Sequence, residues 1–479
     1  MTQDQILADC KSAPRLILAG GKSAPLQILV DCESAPLLDR PRVREVECPD
    51  ADSPPATFAA PQKARVTQAL FSHTYGNGLV LVAERIAALE SAAFTFLTPG
   101  GAADDPDDLA GLAGFTCEMA LRGAGDRDSR RFVDDLDNLG VERGESVSDA
   151  HTSYSGASLA ANLLPALSIY ADVLRRPRLP PDELEPSRLL MQQELRGVED
   201  EPSQKVMQEL RRRHYPHPWG RPSQGDAAGI AGIGLADIQS AHARHYRPNG
   251  AILGVAGRFD WERLKDHVAA ALGDWLPVES SPPPAGARGT RREHLPHESN
   301  QTQIGIAYDS VPYRHPDYLQ AWGAVGVLSG GMSARLFTEV REKRGLCYSV
   351  YASYHTLKDR GAIVTYAGTS AERAQETLDV TLAELVKLAE GVRPEELDRL
   401  KARIKSALIM QQESSSSRSG TLARDWYHLG RARTLEEVGA MVDGLSARSI
   451  SDYLAAHPPV DFTIVTLGPQ ALEVPLAVS

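Results

Sequence analysis

One order of elements occurs twice along this chain, and that repetition constrains its fold more than any single motif. The first pass opens with Phe71-Ser-His-Thr-Tyr75 and Leu79-Val-Leu-Val82 on either side of Asn77-Gly78, a hairpin signal because both turn positions tolerate positive φ. It continues through the strand Ala92-Ala-Phe-Thr-Phe-Leu97, a helix with Leu164, Leu167, Tyr170, Ala171 and Leu174 on one face, and a long helix from Pro181 to Val198. An apolar strand ending at Gly257 and a helix from Trp261 to Leu272 close it. The second pass begins with the strand Gln303-Ile-Gly-Ile-Ala-Tyr308 and a helix from Asp317 to Leu328. Then come the strand Ala362-Ile-Val-Thr-Tyr366, a helix with Ala374, Leu378, Leu382 and Leu385 on one face, a long helix opening at Pro394, and a last apolar strand from Asp461 to Gly468. Leu190-Met-Gln-Gln-Glu194, late in the first long helix, is echoed by Ile409-Met-Gln-Gln-Glu413 in the second. The pattern predicts an internal duplication of one α+β unit of roughly 200 residues, a usual domain size. The two copies are placed at 63–276 and 299–479. Residues 277–298, with Ser281-Pro-Pro-Pro-Ala285, read as a stiff extended linker.

Residues 1–62 stand apart. Lys11-Ser-Ala-Pro, Lys22-Ser-Ala-Pro and Glu33-Ser-Ala-Pro recur at a fixed short period, but three proline-punctuated copies cannot stack a core. This segment is expected to be disordered and to add nothing to the fold. A net charge of −12 with no long basic run disfavours nucleic acid and anionic membranes as partners. Five cysteines without paired spacing fit a reducing compartment rather than a disulfide framework. No stretch reaches the ~18 apolar residues needed to span a bilayer. Cytoplasmic location is the default expectation, with the periplasm open if translation starts downstream of Met1.

Two segments carry chemistry. Leu328-Ser-Gly-Gly-Met-Ser-Ala-Arg-Leu-Phe-Thr-Glu-Val-Arg-Glu-Lys-Arg-Gly-Leu-Cys-Tyr-Ser-Val350 holds Arg341 and Tyr348, and Gly111-Leu-Ala-Gly-Phe-Thr-Cys-Glu-Met119 lies in the first copy. The former closely resembles the second-domain signature of the pitrilysin/insulinase zinc peptidases, the inverzincins, and in particular their mitochondrial-processing-peptidase-like branch. The resemblance extends from Thr74 to Gly468 and includes Tyr215-Pro-His-Pro-Trp-Gly220 and His245-Tyr-Arg-Pro-Asn249. It implies two tandem homologous domains, each a mixed, mostly antiparallel sheet with helices on one face, closing like a clam around an unfolded peptide. It also implies His-x-x-Glu-His on a first-domain helix. Here Gly114 stands where the first histidine is expected, Cys117 where the catalytic glutamate is, and Glu118 where the second histidine is. Glu194 matches the third zinc ligand.

A catalytic zinc needs three protein ligands and an open position for water, with a neighbouring carboxylate to take the water's proton. Gly114 offers no ligand, Cys117 is a poor base, and Glu118 and Glu194 have no histidine to share a metal with. This chain is expected to bind no metal. In the family, residues matching Arg341 and Tyr348 hold the substrate carbonyl and its developing oxyanion, and some members divide zinc and arginine/tyrosine between two chains. The implied reading is a non-catalytic subunit that supplies Arg341 and Tyr348 in trans to a zinc-bearing sister chain acting on unfolded peptides. Three alternatives stay open: a scaffold or peptide-binding protein with no catalytic part, a hydrolase using Cys117 as nucleophile, and a structural role for the pair. In the last, Arg341 pairs with neighbouring helix charges and Tyr348 packs on Tyr351. The edge Gly140 to Ser148 departs from the family pattern for holding substrate by strand addition. The loop before the arginine motif begins with Ser329 and relies on Gly330 and Gly331 for its freedom.

Overall fold

The computed structural model describes residues 69–281 and 283–474. The repeat at 11–43 and the expected disorder of 1–62 lie outside the described residues. All described elements belong to the unit Val66–Ser479. In chain order the first copy contributes β1 (Ala69–Thr74), β2 (Val80–Arg85), β3 (Ser91–Pro99), α1 (Leu112–Ala120), the short β4 (Gly123–Ala124) and β5 (Arg127–Asp128), α2 (Ser129–Asn138), β6 (Glu142–Val147), β7 (His151–Leu159) and α3 (Leu163–Arg175). It continues with α4 (Leu184–Glu199), α5 (Pro202–His214), α6 (Ala227–Gly232), α7 (Leu235–His245), β8 (Ile252–Gly257) and α8 (Trp261–Leu272). The second copy has β9 (Arg292–Pro296), β10 (Gln301–Ser310), α9 (Tyr318–Ser329), β11 (Cys347–Thr356), β12 (Gly361–Ser370), α10 (Ala374–Lys387), α11 (Pro394–Gln412), α12 (Ser415–Leu429), α13 (Leu435–Gly444), α14 (Ala447–Ala456) and β13 (Thr463–Gly468). The segment expected as a linker thus ends in a strand, β9, which joins the second sheet.

The first sheet runs β1-β2-β8-β3-β7-β6 and the second β11-β12-β10-β13-β9. Read from the opposite end, β9-β13-β10-β12-β11 repeats β2-β8-β3-β7-β6 strand for strand. Each sheet has one parallel pair, β2 with β8 and β13 with β9, in the same place among antiparallel ones. The duplication is therefore visible in topology as well as in sequence. The hairpin forms as its turn chemistry requires: Gly78 adopts φ +90, and the Asn77 amide donates to the Leu272 carbonyl at 2.8 Å, tying the turn to the end of α8.

One face of each sheet carries helices of its own copy. In the first, Phe94 and Leu253 pack with Leu167, Tyr170 and Leu174 of α3 and Val268 of α8; in the second, Ile306 and Ile363 pack with Leu378 and Leu382 of α10 and Ile450 of α14. Each such buried aliphatic or aromatic side chain contributes roughly 1.5–3 kcal/mol. The expectation of helices on one face is incomplete, because the other face is covered by a helix lent from the opposite copy. Helix α5 lays Val206 and Leu210 against Ala307, Val364, Val465 and Leu467 of the second sheet. Helix α12 lays Leu422 and Ala423 against Val82, Leu97, Ile252 and Ala256 of the first.

The two exchanged helices reach their sheets differently. On α12 the residues facing the sheet include Ser415 and Ser419, small enough for the helix to come close. Thr95 Oγ1 and Ser419 Oγ lie 3.0 Å apart, and a Cβ at Gly254 would fall 2.3 Å from the Ser419 carbonyl. A buried ion pair then locks the contact: Arg418 Nε donates to Glu84 Oε2 at 2.9 Å, and both residues are 1% exposed.

Candidate functional site

Helix α1 begins at Gly111, whose φ of +100 a side chain would strain and whose added Cβ would press on Gln224 and Gly225. The buried Asp105 carboxylate accepts the N–H groups of Gly111 and Ala113 at 2.8 Å each. Burial nevertheless outweighs those bonds and pushes its pKa up to about 6. The helix packs on α4, and Met191 of α4 reaches the place a side chain at 114 would take: a Cβ there would lie 3.1 Å from the Ser223 carbonyl and 3.2 Å from Met191 Cε. Cys117 points the other way. It is 4% exposed in the core with Ala120, Phe132 and Tyr154, beside the Tyr154 hydroxyl, which shares a 2.6 Å hydrogen bond with Tyr246. Glu118 is ion-paired with Arg122, which also approaches Glu183 at 3.7 Å. Glu194 lies on the exposed side of α4.

These residues do not fit a zinc ion. Position 114 has no donor and its space is filled, the Cys117 thiol is turned into the apolar core, and the Glu118 carboxylate is held by a guanidinium. No group of three or more His, Cys, Asp or Glu side chains able to hold a metal occurs among the described residues. Nor does Cys117 suit a nucleophile, since a substrate has no route to a thiol sealed beneath α1.

Arg341 and Tyr348, in contrast, are brought together. Arg341 sits in a π-helical turn, Phe337–Glu342, a conformation that recurs at functional sites. Its guanidinium carbon lies 4.7 Å from the Phe337 ring centroid and 5.1 Å from that of Tyr348, cation–π contacts worth ~0.5–1 kcal/mol at an exposed site. The helix charges do pair, but without Arg341: Glu339 takes Lys343 at 2.7 Å and Arg344 at 3.0 Å. Among the described residues Arg341 makes no ion pair.

Tyr348 stands at a bulge. Cys347 pairs with Thr369 and Ser349 with Gly368, so the residue between them has no partner across the ladder. The bulge lies in β11, the outer strand of its sheet, and turns the tyrosine outward to 83% exposure. Tyr351 does not pack on it but lies 5.3 Å from Tyr366, ring to ring. The loop before this motif has a tether that sequence reading missed: Ala352 N–H of β11 donates to Ser329 Oγ at 2.8 Å. A serine ahead of two glycines beside a strand was the available signal. In the first sheet the segment 140–148 supplies the outer strand β6, as expected of an edge.

Comparisons with known proteins agree with this architecture. Residues 81–225 match the family model described as Insulinase (Peptidase family M16), and residues 232–404 match that described as Peptidase M16 inactive domain. The chain is 28% identical over 407 residues to the uncharacterized zinc protease Rv2782c of Mycobacterium tuberculosis, covering 83% of this chain and 90% of that protein. It is 24% identical over 405 residues to the uncharacterized zinc protease YmxG of Bacillus subtilis, covering 83% and 98%. Among solved structures, a peptidase M16 inactive domain from Pseudomonas fluorescens superposes with a TM-score of 0.78 at 24% identity, over 85% of this chain and 100% of that one. A protease from Helicobacter pylori gives 0.77 at 21% identity, over 84% and 100%.

Proposed function

Because the chain belongs to peptidase family M16, we propose that it is a non-catalytic subunit of a heteromeric zinc peptidase acting on unfolded peptides. In this reading it binds no metal itself, and the zinc, its water and the general base belong to a sister chain. Arg341 and Tyr348 are its contribution, holding the substrate carbonyl and the oxyanion that develops on it. The expected compartment is the cytoplasm.

The observation that carries the proposal is the pairing of a guanidinium engaged by no carboxylate among the described residues with an outward-facing tyrosine at an edge-strand bulge. Arginine stays charged at every working pH, and its plane is steadied by two rings. The tyrosine hydroxyl is a second donor on the same surface. Fixed donors aimed at growing negative charge are worth several kcal/mol to a transition state. The edge of β11 also leaves backbone groups open for an extended peptide.

The test uses the complex. Tyr348→Phe removes one hydroxyl and keeps the ring under Arg341, so the subunits still assemble while kcat falls ~10²- to 10³-fold, the cost of one oxyanion donor. Arg341→Ala does at least as much harm. Each variant is mixed with the zinc-bearing sister chain, assembly is checked by size-exclusion chromatography, and turnover of an unfolded peptide is measured. Full activity in an intact complex would overturn the proposal in favour of a scaffold. Elemental analysis of the isolated chain gives less than stoichiometric zinc; one zinc per chain with chelator-sensitive proteolysis would overturn it as well.

A further inference from the structure

The loop between α9 and the arginine motif has a feature independent of Arg341 and Tyr348. A cavity of about 220 Å³ opens between this loop, at Gly330, Gly331 and Ser333, and the Arg399 and Arg403 side of α11. Its one carboxylate is already neutralised. Glu396, 6% exposed, accepts Arg335 Nε and Nη2 at 2.9 and 2.8 Å and Arg393 Nη2 at 2.9 Å. Burial raises its pKa, but these bonds dominate and hold it at about 2.

Arg399 and Arg403 lie one helical turn apart on the same face of α11, and neither is ion-paired to a carboxylate among the described residues. Arg403 is laid against the glycines. A Cβ on Gly330 would fall 2.5 Å from its Nη2 and 2.8 Å from its Cζ, and one on Gly331 3.9 Å from its Nη1. That contact partly desolvates the guanidinium and lowers its pKa from the usual arginine value. Gly331 and Ser333 line the same cavity, and their N–H groups have no acceptor among the described residues, whereas the Ala334 N–H donates back to Gly331 at 3.0 Å.

Two guanidinium groups of like charge therefore line one cavity together with two residues whose backbone donors are open, and the local carboxylate is occupied elsewhere. We infer that this cavity binds an oxyanion, a phosphate or carboxylate group held by Arg399, Arg403 and the N–H groups of Gly331 and Ser333. Guanidinium forks match both groups bidentately, and open backbone N–H groups are further donors to an anion. Its sources are a small phosphorylated molecule or the carboxylate end of a peptide.

The experiment is calorimetric titration of the full chain at constant ionic strength. The probes are inorganic phosphate and an unstructured peptide bearing either a free C-terminal carboxylate or its amide. Saturable binding of phosphate or of the free-acid peptide is expected. Arg399→Ala and Arg403→Ala weaken it ~10- to 100-fold, the loss of one charge-assisted contact, with unchanged melting temperature, and Arg403→Lys recovers part of it. Competition between phosphate and the free-acid peptide, but not the amide, identifies the peptide end as a source; phosphate binding without such competition identifies a phosphorylated ligand. No saturable binding of either probe, or binding indifferent to both alanine variants, would overturn the inference. This result stands or falls separately from the role in trans, because the isolated chain is titrated without the sister chain and without turnover.

Discussion

Strands β6 and β11 hold the same outer position in two sheets of one strand order, yet they present different surfaces. β6 pairs with β7 in unbroken register from Glu142 to Val147 and displays Glu142, Arg143 and Glu145, charges that guard an open edge against pairing with other chains. β11 has a bulge, and the side chain it turns outward is an aromatic phenol beside a guanidinium. Duplication conserves the ladder, and a single extra residue in one copy re-aims a side chain without disturbing the strand order. The exchanged helices diverge in the same way: α5 meets its sheet with Val206 and Leu210, α12 with serines and a buried ion pair.

The sharpest break of this comparison is at Arg418. Arg418→Ala leaves the buried Glu84 carboxylate without its guanidinium and costs ~3–5 kcal/mol, as removing one partner of a buried pair does; Leu210→Ala on the opposite helix costs ~2–5 kcal/mol as a cavity. Urea unfolding of both variants measures the contrast, and an Arg418→Ala protein as stable as the parent would show that the ion pair is dispensable.

A smaller difference separates the glycines under the two helices. Gly254→Ala drives a methyl to 2.3 Å from the Ser419 backbone carbonyl, so α12 must shift, whereas Gly305→Ala meets side chains alone, Leu210 Cδ2 at 3.3 Å and Met207 Sδ at 3.6 Å. The first is expected at or above the ~1–3 kcal/mol of an overpacked core and the second at or below its lower end. Equal melting temperatures would mean that the two helices sit equally loosely.

The last difference is in pH dependence, where two carboxylates have opposite signs. Asp105, with pKa raised to about 6 against an ordinary 3.8, binds more protons folded than unfolded, so its contribution to stability falls as pH rises from about 4 to 6. Glu396, held at about 2 against 4.5, contributes stability above pH 4.5 that is lost as pH falls towards 2. Carboxyl titration followed by NMR, with Asp105→Asn and Glu396→Gln as assignments, checks both. A Glu396 midpoint near 4.5 would mean that Arg335 and Arg393 do not hold it, and would remove the basis for a one-signed cavity beside it.

Much of this molecule was legible in its residues. Trp261–Leu272 forms the expected helix end to end, and Asn77-Gly78 makes its hairpin, because helical period and turn chemistry act within a few residues. Helix α12 was not legible. Ser414-Ser-Ser-Ser417 shows no apolar period, yet Ser414 caps the helix by accepting the Ser417 N–H at 3.2 Å, and Gly430 ends it at φ +69. Serines suit its buried face because the surface they meet is the backbone of Gly254, a partner no local pattern reveals.

By itself the sequence determined the duplication, the α+β class, and the side chains at 114, 117, 118, 194, 341 and 348, since the donors a position can offer are a property of that position. Only the tertiary structure decided that helices would be exchanged between copies, that Cys117 would face the core, and that Arg341 would lie over Tyr348 rather than join the charges of its own turn. Those outcomes rest on packing between segments distant in the chain, and on one bulge whose position is set by the register of a neighbouring strand.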